Sequence, residues 1–191
     1  TLQANAAKVT DKNTFRIAGT LQDLDVQTQG DIFSEGNLTV TGLANFDTMQ
    51  AGAVEMQKTG VDLNQVQFNR VNSANIQNNQ SLMLLGNSTH ASVLNIKTAG
   101  DLTLGGNIDA AQLQLESTGT IHQNAGVLNN SESGTIELIL KAPNANINQA
   151  GNQIGRVRMD ADGVVVLTTQ GKVTLDGGSI NELSLISKGV D

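Results

Sequence analysis

The sequence predicts an all-β fold: a parallel β-helix, or β-solenoid, wound in coils of roughly 20 residues. Three observations point there. One phrase recurs, as SEGNLTVTG at 34–42, TAGDLTLGG at 98–106 and TTQGKVTLDGG at 168–178. Each reads glycine, polar, aliphatic, threonine, aliphatic, with glycine soon after. A pair of apolar residues two positions apart also recurs, with glycine or asparagine at a constant offset behind it. The composition is the third observation. Trp, Tyr and Cys are absent, there are four Phe and one Pro, and Asn with Gln makes up about a fifth of the chain, far above ordinary usage. A compact globule usually fills its core with several aromatics. A narrow interior of Leu, Ile, Val and Ala does without them.

In chain order, residues 1–13 (TLQANAAKVTDKN) read as an N-terminal extension or cap, and 14–191 as the rod. A short helix fits only in that first segment, with Thr10 to Asn13 as turn. In the rod, Leu24/Val26 precede Gly30 and Val54/Met56 precede Gly60. Val66/Phe68 precede Asn72, Leu94/Ile96 precede Gly100, and Leu113/Leu115 precede Gly119. Leu138/Leu140 precede Asn144, Val157/Met159 precede Gly163, and Leu183/Leu185 precede Gly189. The same alternation continues at Leu102/Leu104, Ile136 and Val173/Leu175, the period of a strand with one apolar face. Gly and Asn are the residues that most readily take positive φ. The module therefore reads as a strand with two inward side chains, then a left-handed turn residue.

Gly100 to Gly119 and Asn144 to Gly163 each span 19 residues. LTLGGNIDAAQLQLESTG (102–119) aligns with VTLDGGSINELSLISKG (173–189), matching Leu113/Leu115 to Leu183/Leu185 and Ile108 to Ile180. Less regular spacings predict loops at 43–51, 86–92 and 128–134. About eight or nine coils stacked at about 4.8 Å make a rod roughly 40 Å long. Aliphatics then file along its axis, and Asn or Gln amides stack at its corners. An antiparallel sandwich can contain the same phrases, but its strands usually carry aromatic anchors and turn prolines.

A net charge of -7 leaves no footprint for nucleic acid, and no basic amphipathic face addresses a membrane. No apolar run approaches the roughly 20 residues of a spanning helix. Thr1 opens no signal peptide, so a mature piece or an excised segment is expected. Without Cys there is neither a disulfide framework nor a Cys-ligated metal.

No catalytic, cofactor-binding or metal-binding residue is expected. His90 and His122 are far apart in sequence and read as loop or outward strand positions. MDADG (159–163) supplies only Asp160 and Asp162 and lacks the further ligands of a calcium loop. LGGNID (104–109) echoes a calcium nonapeptide once, without tandem copies. Asp101, Asp109, Asp160, Asp162 and Asp176 fall near predicted corners, where Asp usually bonds its own local backbone. Three N-x-[ST] sequons begin at Asn37, Asn87 and Asn129, in a chain where Asn-richness alone supplies several.

GDLTLGGNIDAAQLQLESTGTI, INQAGNQI and GKVTLDGGSINELSLISKG resemble the rod repeats of filamentous haemagglutinin-like exoproteins, the large secreted adhesins of bacterial two-partner secretion. The resemblance is good over 81–191, moderate over 14–60 and weak between. It implies a right-handed parallel β-helix, secreted or at the bacterial cell surface, with roles in adhesion, biofilm building or toxin presentation. The family's NPNL-type and NPxG-type secretion motifs are missing, Pro143 being the one proline. Transporter recognition is therefore not implied.

The expectation is a structural or adhesive fibre segment, not an enzyme, that acts as a stiff shaft. Its partners would be neighbouring solenoid segments of the same protein, further copies stacked end to end into filaments, or host and cell-surface glycans. Solenoid ends expose strand edges that template addition. Two other classes stay open: a β-helix carbohydrate-active or sugar-binding spike, and a polymerising bacterial cytoskeletal β-solenoid.

Overall fold

The computed structural model describes residues 2–87 and 89–187. They form sixteen strands and, among the described residues, no helix. The strands are β1 (Leu2–Thr10), β2 (Phe15–Gln27), β3 (Ile32–Asp47), β4 (Ala53–Met56), β5 (Val61–Phe68), β6 (Ser73–Asn78), β7 (Leu82–Asn87), β8 (Ala91–Thr98), β9 (Leu102–Leu104), β10 (Ile108–Ser117), β11 (Thr120–Gln123), β12 (Leu128–Asn129), β13 (Ile136–Lys141), β14 (Asn144–Ile147), β15 (Ile154–Thr169) and β16 (Thr174–Ser187). Each pairs with its neighbours in parallel. The chain winds as a β-solenoid of about ten turns with coils of roughly 19 residues.

Two long faces enclose the core. The first face runs β4-β6-β8-β10-β13, and the second β5-β7-β9-β11-β14. The long strands β2, β3, β15 and β16 bend through a corner and belong to both, with register shifts at the bends. A short third side is marked by β12 against the start of β10.

Inward side chains stand in file. On the first face Ile32, Val54, Ala74, Leu94, Leu113, Leu138, Val157 and Leu175 pair one above another. On the second face a column descends from Ala7 through Leu24, Ala44, Val66, Leu84, Leu104, Gln123, Ile147 and Leu167 to Leu185, one residue for each of ten layers. The module residues from Leu24 to Met159 are all buried. Phe46 and Phe68 stack inside with ring centroids 6.4 Å apart. At one polar point of the interior the buried amides of Gln123 and Asn152 exchange hydrogen bonds of 2.8 and 2.7 Å.

Five details depart from the sequence reading. First, there are ten layers rather than eight or nine, because Leu2–Thr10 is a strand and not a helix. It is a rung paired from Leu2↔Gly19 to Thr10↔Gln27. Helix propensity in its alanines is a weak preference, and the open edge of β2 satisfies the backbone of the whole segment.

Second, the module serves both faces. Val54/Met56, Leu94/Ile96, Leu113/Leu115, Leu138/Leu140 and Val157/Met159 lie on the first. Leu24/Val26, Val66/Phe68 and Leu183/Leu185 lie on the second.

Third, the alignment of 102–119 with 173–189 crosses faces. Leu113 continues to Leu175, whereas Leu183 stands above Val165 in the file of Leu102, Ile121 and Ala145. Two faces that make the same demand on a strand write indistinguishable phrases.

Fourth, most of the corner residues that the module singled out are not left-handed. Of those the module singled out, Gly60 alone has positive φ, while Gly30, Gly100, Gly119 and Gly163 do not, nor do Asn72 and Asn144. Gly189 lies outside the described residues. What Gly119 and Gly163 supply is closeness. A Cβ on Gly119 would overlap Asp101 Oδ1, and one on Gly163 would overlap Asn144 Oδ1. Those oxygens accept the next backbone N–H in each case, Thr120 N at 2.7 Å and Val164 N at 2.9 Å.

Fifth, the loops are shorter than predicted. β3 runs through Asp47, so the first turn occupies 48–52. Gly86 and Asn87 end β7, and Ala91 opens β8. Leu128–Asn129 is itself β12. Of the segment 86–92, Ser88 lies outside the described residues.

Candidate functional site

The three predicted loop regions come to one corner of the rod, and with them most of its buried charge. The turn after β3 starts the stack. Met49 and Gln50 both have positive φ, 52° and 64°, a conformation that non-glycine residues adopt at some cost. Four hydrogen bonds hold it. Thr48 N and Gln50 N donate to Arg70 O in the next coil, Thr48 Oγ1 donates to Gly52 O, and Met49 N donates to Asp47 Oδ1. Asp47 is only 6 % exposed. Burial pushes its carboxyl up, but hydrogen bonds from Arg70, Met49 N–H and Gln27 outweigh this and hold it below the usual aspartate value. The Arg70 guanidinium is raised in turn by its hydrogen bond to Asp47.

Farther along the corner, Asn87 Oδ1 accepts Asp109 N at 2.8 Å, and Asn87 Nδ2 donates to Thr89 O and Asp109 O. Asp109 Oδ1 accepts Ser131 N at 2.9 Å and stands 2.9 Å from His90 Nδ1. His90 Nε2 lies 3.5 Å from Glu132. Asn130 Oδ1 accepts Glu132 N and Ser133 N, closing the turn before β13. Burial alone raises the Asp109 carboxyl, but hydrogen bonds from Ser131 and His90 bring it below its ordinary value.

Ser131, Asp109 and His90 are thus in contact, but in the wrong order for a nucleophile. A hydrolytic triad places the imidazole between hydroxyl and carboxylate. Here the serine and the histidine both bond the carboxylate, so the cluster fastens one turn to another. The pairing of His90 with Asp109 crosses a coil, at a separation no motif records. The coil length of about 19 residues was the one sequence signal that could have suggested it.

The remaining candidates do not converge. His122 lies half-buried on the outer side of β11, between Thr103 and Asn146. Asp101, Asp109 and Asp160 do bond backbone, but in the next coil rather than locally: Thr120 N, Ser131 N and Ser179 N. A carboxylate at a solenoid corner finds its nearest free N–H one turn away. Asp176 lies 3.7 Å from Arg156, and Asp162 lines a shallow groove beside Lys141. MDADG and LGGNID belong to β15 and to the β9–β10 corner. Among the described residues no three His, Asp or Glu side chains are placed to hold a metal ion.

Of the sequon asparagines, Asn37 is exposed, whereas the Asn87 amide is engaged at both ends. Asn129 is half-buried and pairs with Asp109 in the third side.

These features define a parallel β-solenoid whose polar clusters fasten coil to coil. No protein-family model, no curated protein and no solved structure matches the chain.

Proposed function

We propose that this chain is a shaft segment of a bacterial secreted or cell-surface fibre, with structural and adhesive roles. The observation that carries the reading is the stack of ten parallel layers from β1 to β16. Every layer bonds to the next along the rod axis, so a pull or a bend is shared by whole rows of parallel hydrogen bonds. Ten layers at about 4.8 Å give a rod of roughly 45 Å. The resemblance of 81–191 to haemagglutinin-like rods supports a place outside the cell. Corner turns such as 48–52 and 130–135 would present contacts to host or cell-surface glycans.

At the last described rung, Leu175, Leu185 and Ile186 are 51 %, 38 % and 55 % exposed. A further coil, of the same protein or of another copy, would cover them and prolong the shaft.

Protease treatment of intact cells, followed by immunodetection of the native protein, tests the location. Loss of the signal without lysis is expected. Full protection until lysis would favour a cytoskeletal solenoid instead. Release of oligosaccharides from a panel of acidic polysaccharides would favour a glycan-cleaving spike.

A further inference from the structure

One imidazole ties the corners of three successive coils together. Thr89 Oγ1 donates to Asn69 O and Ser92 N donates to Asn72 O, so His90 lies beside Arg70 of the preceding coil. Ala91 pairs with Ala110, which brings Asp109 of the following coil to the other side. One coil further on is the turn before β13, whose residues 131–134 are all exposed. The His90 side chain is only 14 % exposed and has a carboxylate at each ring nitrogen, Asp109 at 2.9 Å from Nδ1 and Glu132 at 3.5 Å from Nε2. Asp109 Oδ1 also accepts Ser131 N, so the same carboxylate joins ring and turn. The charged groups facing the ring are these two acids and Arg70, whose guanidinium is already engaged by Asp47.

This arrangement suits the imidazolium alone. Two ring N–H groups donate to two carboxylates only when both nitrogens carry hydrogen. The neutral ring keeps one. With that hydrogen on Nδ1, bonded to Asp109, Nε2 turns a lone pair toward Glu132, and acceptor faces acceptor. An imidazole changes charge between about pH 5 and 8, a range in which carboxylates ordinarily stay ionised.

We propose that His90 is a pH-operated latch on the turn 131–134. In mild acid the charged ring bridges Asp109 and Glu132 and holds the turn against the two coils before it. As pH rises the ring loses its proton, the bridge to Glu132 is lost and the bond to Asp109 weakens. Asn130 holds the base of the turn at either pH, through Glu132 N and Ser133 N, so the exposed rim is what loosens. The latch sets how rigidly this corner is presented, whatever it touches, and does not rest on the shaft reading. The turn 48–52 supplies an internal control. It is held by Asp47 and Arg70, and a guanidinium keeps its charge throughout this range.

Amide exchange and heteronuclear 15N relaxation of the whole chain at pH 5.5 and pH 8 test this. After correction for intrinsic exchange, protection of Ser131 N–H falls roughly threefold or more at pH 8, as loss of a partly exposed ion pair implies. Thr48 and Gln50 do not change. Glu132→Ala lowers the protection at pH 5.5 toward the pH 8 level of the parent protein. His90→Gln still offers a donor to Asp109 but has no proton to gain, so its two values agree. Circular dichroism melts at pH 8 check that both variants fold. The Glu132 side chain is 74 % exposed, so Glu132→Ala leaves the core intact and decides alone should His90→Gln unfold.

Equal protection of the parent protein at both pH values overturns the inference. A pH response that survives in His90→Gln also overturns it, because another group would be titrating. One left unchanged in Glu132→Ala does so too, because the second carboxylate would then have no part in the latch. Equal loosening at 48–52 would mark a general softening of the rod and would likewise end the proposal.

Discussion

Gly119→Ala tests why the corners carry glycine. In this structure the added Cβ overlaps Asp101 Oδ1, and it stands 2.9 Å from Asp101 N and 3.0 Å from Gly100 C. The backbone at 119 is not left-handed, so the cost comes from crowding. Forcing one carbon into such a space typically costs about 1–3 kcal/mol. Asp101→Ala removes the oxygen and with it the 2.7 Å bond from Thr120 N, at a cost of about 1 kcal/mol for an exposed site.

The double variant decides the matter. With the carboxylate gone, the methyl added at position 119 still meets Asp101 N and Gly100 C, but its overlap with Oδ1 is relieved, so the two costs do not fully add. A coupling of about 1 kcal/mol, favouring the double variant, is expected for groups in direct contact. The chain lacks Trp and Tyr, so far-UV circular dichroism in urea replaces fluorescence, with amide exchange at Thr120 as a local check. Strict additivity would show that the glycine answers to its own backbone, and the close-approach explanation would fail.

Other outcomes follow from the same packing. Leu115→Asp puts a charge between Ile96 and Leu140 and costs several kcal/mol, while Gln114→Asp on the outer side stays within about 0.5 kcal/mol of the parent protein; equal urea midpoints would contradict the face assignment. Asn152→Leu removes the paired bonds to the buried Gln123 amide and the acceptor of Leu128 N, and costs about 1–3 kcal/mol. Adding Gln123→Leu recovers part of that, and a double variant worse than the sum of the singles would refute the amide pair. Asp47 has a folded value below its unfolded one, so its contribution is complete above about pH 4 and is lost as pH falls through the folded value. Arg70→Gln should therefore flatten the acid side of the stability profile. An equally steep fall in the urea midpoint would remove Arg70 from that account.

The inward residues were legible from spacing alone, because side chains of a strand alternate with period two and each coil repeats the same need. Leu94/Ile96, Leu113/Leu115 and Val157/Met159 are buried as that rule requires. Face assignment was not legible, since both faces ask for the same pair of aliphatics. Leu183 and Leu113 accordingly share a pattern and stand in different files. The role of Gly119 was hidden for a related reason: the oxygen that excludes a Cβ belongs to Asp101, one coil earlier.

The clusters His90–Asp109–Ser131 and Asp47–Arg70 were invisible for the same cause. Their members are separated by a coil or more, and nothing local marks which of many polar residues will meet. The sequence by itself determined that this chain coils, which residues turn inward and roughly how long a lap is. Those facts follow from periodicity and side-chain chemistry along one strand. The tertiary structure alone decided which lap lies over which, because stacking register depends on corner geometry summed over each full turn, and a single extra residue in any corner shifts every contact beyond it.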